Sequence, residues 1–352
     1  MVTSKVRLDR VASSTRNARL GSEVLIGPDV LSEEGRILAV RINNDKAIYN
    51  QVEDPTGRLI RLRSGDVMAG VLGARRALRG YEGTIPDRLA AGDTIEVLNL
   101  GGVLGRCTAG NPDLGPPFSA EVLGAVLTFP RTGDRIGRPA SIREGAIATA
   151  TTLAPGPPVV AVVGTCMDAG KTVAAGEVIR GLSRAGLTVA GVKLTGVSLR
   201  RDALAMVDAG AIEALTFTDA GIVSTDEDAA VPTAFGLLNE LSRSASPDVV
   251  VAEFGDGILG EYGVASLLGN RDLAGRIQAM VCCAPDQVGA WGAVEILRSN
   301  FGLTPTVISG PATDNEVGCR FIRNRLGLPA ANARSGDGEL ARIVREALHD
   351  PA

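Results

Sequence analysis

The sequence predicts an α/β protein. A doubly wound, mostly parallel sheet is expected over residues 158–352, preceded by a smaller β-rich domain, a barrel or a sandwich, over residues 1–150. Three observations lead there. After Pro158, strand-length apolar runs alternate with segments of helical period. A glycine-rich loop stands between the first such run and the first helix. The two halves are separated by Thr152-Leu-Ala-Pro-Gly-Pro-Pro, so residues 151–157 read as a proline-rich linker.

The first half contains short apolar runs such as Arg36–Ile42, Gly57–Arg63, Val67–Gly73 and Thr94–Leu100. Polar turns at Asn43, Asp54-Pro-Thr-Gly57 and Ala91-Gly-Asp93 break them. Ala74–Leu78 reads as a short helix, and Gly101, Gly102 and Gly105 as a corner or bulge in the sheet. In the second half, Val159–Val163 is apolar throughout, as a parallel strand covered on both faces requires. A helix is expected from Lys171, with Val178, Leu182 and Ala185 on its buried face and Gly186 closing it. Further strands are expected at 187–194, 214–217, 249–252, 277–283 and 306–308. Helices are expected near 201–208, 232–244, 288–299 and 316–326, with Trp291 in the core and a short surface helix over 338–349.

Composition narrows the function. The chain has 352 residues, a net charge of −4 and no apolar run near the ~18 residues of a membrane span. Residues 1–150 carry a net +3 and residues 151–352 a net −7, so small-molecule partners are expected rather than nucleic acid or membrane. With no secretory pattern at Met1-Val-Thr-Ser-Lys5, a cytoplasmic location is expected. The single histidine, His349, excludes His-ligated metals and His-based triads from the body of the protein. The five cysteines lack zinc-site spacing, and Cys282-Cys283 read as core thiols. Only four of the 36 cations are lysines (Lys5, Lys46, Lys171 and Lys193). The two beyond residue 150 fall where a compact ammonium suits phosphate chemistry.

The loop is Gly164-Thr-Cys-Met-Asp-Ala-Gly-Lys-Thr172. Its strand–loop–helix context marks it as a phosphate-binding loop of the P-loop type. Gly164 and Gly170 let the chain wrap so that main-chain N–H groups face phosphate oxygens, and the helix N-terminus adds partial positive charge. Lys171 should reach the β- and γ-phosphates, and the Thr172 hydroxyl should bind Mg²⁺. Five residues lie between the two glycines rather than the usual four. Other candidates stand at strand ends. Lys193 could neutralise charge on a transferring phosphoryl or acyl group. Glu253 could hold Mg²⁺ or pair with an arginine. Asp202 is either a metal ligand or a helix cap, and Asp256 could serve either way. Asp226-Glu-Asp228 reads as a solvated loop. Asp314 and Asn315 either read a nucleobase or cap a helix.

At these residues the chain resembles dethiobiotin synthetase, whose loop shares the wide spacing and carries an acid where Asp168 stands. The likeness runs through Val173-Ala174, Ala185-Gly186, Ala190-Gly191 and Lys193-Leu-Thr-Gly196, the last segment two residues shorter than in that family. It continues in Asp202-Ala-Leu204 and Glu253-Phe-Gly-Asp-Gly257 and covers roughly residues 158–310. The resemblance implies that Gly164, Thr165, Asp168, Ala169, Gly170, Lys171, Thr172 and Val173 bind ATP. It implies Mg²⁺ on Thr172, Asp202 and Glu253, catalysis by Lys171 and Lys193, and substrate contacts from Lys193, Thr195, Gly196 and Gly255. It also implies a homodimer. Asp208–Glu213 and Val251–Gly257 resemble a second bacterial family, one that includes D-glutamate N-acetyltransferase and has a similar two-domain layout. The leading expectation is an ATP- and Mg²⁺-dependent synthetase that activates a carboxylate or carbamate. An acyltransferase holding acyl-CoA at the loop and a nucleotide-gated delivery protein or chaperone are the alternatives.

Overall fold

The computed structural model describes residues 3–130, 133–134 and 136–349. The chain forms two compact units. One comprises Met1–Ile147 with Val197–Arg201 and Thr218–Ser224, and the other holds Ala148–Gly196, Asp202–Phe217 and Thr225–Ala352. The chain therefore passes back into the first unit twice after residue 150.

The first unit is built on a barrel. Phe118–Thr128 pairs with Ile37–Ile42, which pairs with Val67–Leu72, both antiparallel. Val67–Leu72 pairs in parallel with Val103–Gly110. Thr94–Val97 bridges Val103–Gly110 and Phe118–Thr128 and closes the ring. Closure removes the exposed edges that an open sheet would present. Side-chain alternation fills it: Leu38, Val40 and Ile42 enter one buried cluster with Met68, Ile95 and Phe118, while Ile37 and Ala39 enter another with Ala69 and Val71. The barrel is thus the one of the two expected β architectures that forms.

Buried polar groups explain why the two returning segments belong here. The fully buried Glu53 carboxylate accepts the Ser13 hydroxyl and the backbone N–H groups of Arg200 and Arg201, the last two at 2.7 and 2.8 Å. Glu34 accepts the N–H groups of Val223 and Ser224, and Val223 lies in the apolar cluster. Arg16 pairs with Asp219 at 2.7 Å. Residues 74–78 are not helical. Arg75–Arg76 is a two-residue strand against Tyr81–Thr84, fixed because the buried Arg75 guanidinium donates to the Leu98 carbonyl and the Tyr49 hydroxyl. Tertiary hydrogen bonding overrides the helical preference of Ala-Arg-Arg-Ala-Leu.

The second unit is a six-stranded, wholly parallel sheet of β1 (Val159–Gly164), β2 (Val189–Lys193), β3 (Glu213–Thr216), β4 (Val249–Glu253), β5 (Ile277–Cys283) and β6 (Val307–Ser309). Their spatial order is β3-β2-β4-β1-β5-β6. β1 and β4 are buried at every residue, as expected of strands covered on both faces. The helices are α1 (Lys171–Arg184), α2 (Arg201–Asp208), α3 (Glu227–Ser244), α4 (Val264–Gly269), α5 (Arg271–Ala274), α6 (Gln287–Phe301), α7 (Glu316–Phe321) and α8 (Glu339–His349). A π-helical turn, Ile322–Leu326, continues α7. With its loop between β1 and α1, this is the P-loop NTPase fold. Among the described residues no helix is long and apolar enough to cross a membrane.

Two local expectations are corrected, and one open alternative is decided. The acidic run is not a loop, because the Asp226 carboxylate caps α3 through the Ala229 N–H at 2.8 Å and Glu227 and Asp228 form its first turn. Acids there complement the helix dipole. Trp291 is outside the core, since Ala290, Ala293, Val294 and Leu297 form the buried stripe of α6 and leave the indole 55% exposed. Asn315 caps α7 by accepting the N–H groups of Val317 and Gly318. The proline-rich stretch is held within the second unit: Asn239 bonds Thr152 and Ala154, and Arg276 donates to Ala154 and Pro157.

Candidate functional site

The site forms where β1, β2 and β4 end. β1 passes directly into the loop, whose first N–H, that of Thr165, donates to the Cys283 carbonyl on β5 at 3.1 Å. Asp168 has φ +62 and Gly170 φ +96, so the loop makes two left-handed turns before α1 begins. Gly170 is the N-cap of α1 and supplies no side-chain hydrogen bond. The first-turn N–H groups are therefore left to a ligand, which is the usual arrangement for holding an anion. Lys171 is buried and donates to the Cys166 carbonyl across the loop at 2.7 Å. Burial pushes its ammonium below the usual lysine range, while the nearby Glu253 carboxylate pulls it back up. A cation so weakly satisfied by its own protein suits an incoming phosphate.

Glu253 is the hub. It is 1% exposed at the last residue of β4, which lies in register with Val162 of β1 and Lys193 of β2. Its Oε1 accepts the Thr172 hydroxyl at 3.1 Å and lies 3.5 Å from the Lys193 ammonium. Its Oε2 is buried and has no hydrogen-bond partner. Lys193 also pairs with Asp202 in the first turn of α2. Burial alone would lower the Lys193 pKa, but Glu253 and Asp202 outweigh it and hold the ammonium above its ordinary value. Burying such a charge network requires close pairing, because desolvation costs several kcal/mol per ion, on the order of what the pairs return.

The orphaned Glu253 Oε2 tests whether a metal fits. A buried carboxylate oxygen without a partner is costly, about 1–3 kcal/mol or more for a charged group, and a cation or its bound water relieves that. Thr172 and Glu253 offer hard oxygen donors, the kind Mg²⁺ takes, and Mg²⁺ commonly uses only one or two carboxylates with phosphate and water completing its shell. The residues present fit Mg²⁺ bound in that way. Among the described residues no group of three or more His, Cys, Asp or Glu forms a self-sufficient metal site. Asp202, expected as a ligand, is brought to the same cluster with its carboxylate on Lys193.

The remaining candidates fall into two groups. Thr195 and Gly255 meet: the buried Thr195 hydroxyl donates to the Gly255 carbonyl at 2.8 Å, and a Cβ on Gly255 would overlap the Thr195 carbonyl oxygen. The Gly196 N–H donates to the Thr225 hydroxyl at 2.9 Å, and that hydroxyl donates to the Tyr262 carbonyl. Val173 is exposed on the first turn of α1. Asp314 lies apart from this cluster of bonds. It accepts from Asn332 and, with Asn315, lines an open polar cavity of about 590 Å³. Cys282 and Cys283 are buried, and burial pushes the Cys282 thiol up to about 12 and raises Cys283 as well, so neither is a thiolate at neutral pH. Sequence reasoning did not single out Thr225, which no motif marks.

No family model matches the chain, and no curated protein matches it. Among solved structures it is similar to chloroplast FtsY from Physcomitrella patens, with 16% identity and a TM-score of 0.38 over 59% of this chain and 70% of that one. It is also similar to the signal recognition particle 54 kDa protein from Aeropyrum pernix in complex with GDP, with 20% identity and a TM-score of 0.37 over 58% and 49% of the two chains. A DUF1611 family protein from Anabaena variabilis shows 16% identity and a TM-score of 0.39 over 65% and 69%. These likenesses are distant, and the reading of the site rests on its own residues.

Proposed function

We propose that the protein is an ATP- and Mg²⁺-dependent synthetase that activates a small carboxylate or carbamate by phosphoryl transfer. The observation that carries this reading is the meeting of Thr172 and a second, partly buried lysine, Lys193, on one strand-end carboxylate, Glu253. A loop that only stored nucleotide would need Lys171 and Thr172. Lys193, held charged between two acids, adds a fixed cation suited to an acceptor's carboxylate or to the transferring phosphoryl. The loop amides and Lys171 orient the β- and γ-phosphates, and burial of Lys171, Asp202 and Glu253 limits access of water. Thr172 and Glu253 would hold Mg²⁺, which when bound would supply neutralisation of the phosphate charge. The resemblance to dethiobiotin synthetase supports this choice.

We place a homodimer contact on the same edge of the sheet. Val173, Leu259, Val288, Trp291 and Val317 are all exposed, and they lie on the segments that follow β1, β4, β5 and β6. Exposed apolar groups at strand-following segments are candidates for such a surface. In sedimentation velocity a monomer at all concentrations, with and without MgATP, would remove this part of the reading.

The reaction is tested by incubating the protein with MgATP and panels of small carboxylates and of amines with bicarbonate. ADP formed one-for-one with consumption of an acceptor is the expected result. Turnover of acetyl-CoA with no ADP formed would replace the synthetase by an acyltransferase.

A further inference from the structure

The start of α2 is held by a residue far away in the chain. The Lys193 ammonium pairs with Glu253 and with Asp202, the second residue of α2. Between Lys193 and Asp202 the chain passes through Val197–Arg201, which belongs to the first unit. That segment is anchored there at two places. The buried Asn99 amide donates to the Ser198 carbonyl at 2.8 Å, and a Cβ on Gly101 would overlap the same carbonyl oxygen. Two residues on, the Glu53 carboxylate accepts the N–H groups of Arg200 and Arg201 at 2.7 and 2.8 Å, one on each oxygen. Glu53 ends the short strand Gln51–Glu53 and is fully buried, with the Ser13 hydroxyl as a third donor. The Arg200 guanidinium donates to the Pro55 carbonyl beside it.

A helix begins with N–H groups that have no partner inside it, and its dipole favours an anion there. α2 receives that anion from Glu53, 148 residues before Arg201, while Asp202 of its first turn pairs with Lys193. A buried carboxylate is stable only with such donors, so moving either amide away leaves a charge unsatisfied. Arg201 and Asp202 are consecutive, and the peptide bond between them carries the constraint to Asp202. The Asp202–Lys193 bond tolerates little movement, since a shift of about 1 Å takes a hydrogen bond out of range. A misplacement of that size can lower a rate by about 10²-fold. Resting on the synthetase reading above for the task of Lys193, we propose that Glu53 is a positioning residue. By holding Arg200 and Arg201 it sets Asp202 against Lys193, and so fixes the cation that meets the acceptor or the transferring phosphoryl. It acts through the backbone of α2 and not by contact with the reacting groups.

The test reads Lys193 directly. The chain has only four lysines, so NMR spectra of the full chain, isotope-labelled at lysine Cε, contain few methylene signals. Lys193→Arg assigns the signal of Lys193, and Asp202→Asn gives its position once the Asp202 carboxylate is gone. In Glu53→Gln one oxygen becomes an NH₂ group, which cannot accept an N–H. Glu53→Asp keeps the charge but shortens the side chain by one methylene, and it decides the matter if Glu53→Gln does not fold. In both, the Lys193 signal is expected to move from its wild-type position toward that of Asp202→Asn, while the Lys171 signal stays. Ser13→Ala removes a bond to the same carboxylate and spares both amides. It should melt below wild type and leave the Lys193 signal in place. Calorimetric affinity for MgATP should stay within about threefold in Glu53→Gln, below the tenfold that 1.4 kcal/mol represents. An unmoved Lys193 signal in both Glu53 variants would overturn the assignment. An equal movement in Ser13→Ala would also overturn it, by showing a general loosening of the first unit. A wild type that binds no MgATP would instead overturn the synthetase reading, with the lysine signals still deciding whether Glu53 positions Lys193.

Discussion

Lys171→Met, which keeps the aliphatic stem and removes the ammonium, is expected to lower turnover by about 10²–10³-fold, the scale on which one preorganised charge donor acts. Nucleotide affinity should also drop, because charge-assisted hydrogen bonds contribute about 1.5–3 kcal/mol each. The same variant should be more stable than wild type when no nucleotide is present. Burial lowers the Lys171 pKa, so folding disfavours its charged form. The sign follows: below the folded-state pKa the unfolded chain binds the proton more readily, and the ammonium costs stability there. That cost fades as pH rises through the lowered pKa towards the ordinary lysine value. The stability gain of Lys171→Met should therefore be greatest below the lowered pKa and shrink as pH rises towards the ordinary lysine value. Thermal melts between pH 7 and about 10.4, the unperturbed lysine value, read this directly. A variant less stable than wild type at neutral pH would show that the ammonium is already well satisfied by the Cys166 carbonyl.

Lys193→Met should act in the opposite direction. Removing this cation leaves the Asp202 and Glu253 carboxylates buried without their shared partner. Breaking a buried charge network by deleting one member costs about 3–5 kcal/mol. In a unit of this size that lowers the melting temperature by about 10 °C. Millimolar Mg²⁺ should restore part of the loss, because a hard cation can take the place of the ammonium between the acids. Wild type without nucleotide should show a much smaller Mg²⁺ effect. Melting of Lys193→Met within about 2 °C of wild type would show that the network contributes little to the fold.

The contrast between these lysines also shows what the sequence could reveal. Both were legible because lysine is so scarce in the chain and because each ends or follows an apolar strand. The parallel sheet was legible for a related reason: strands covered on both faces leave continuous apolar runs, and β1 and β4 are buried at every residue. The barrel was less so. Its ring closes through pairings between residues far apart, such as Glu121 with Arg41 and Val103 with Val71, and no local pattern encodes them. The return of Val197–Arg201 and Thr218–Ser224 to the first unit depends on single buried carboxylates, Glu53 and Glu34, bonding backbone N–H groups about 150 or more residues away. Ala74–Leu78 was misread because propensity is local and the Arg75 hydrogen bonds are not. The helix expected over 232–244 begins earlier, at Glu227, because Asp226 caps it and Pro232 is accommodated inside it. Trp291 was expected in the core of a predicted helix, although its position lies off the apolar stripe of α6. For Asp256, sequence supplied the acid between two glycines, and only the backbone showed that an L-residue is held at positive φ.

The central claim is that Gly164–Thr172 holds the phosphates of a nucleoside triphosphate with Mg²⁺. The most direct test is calorimetric titration of the wild-type chain with ATP, GTP and acetyl-CoA, each with and without Mg²⁺. ATP binding that needs Mg²⁺ and releases heat at one site per chain is the predicted result. Acetyl-CoA binding without binding of either nucleotide would contradict the account.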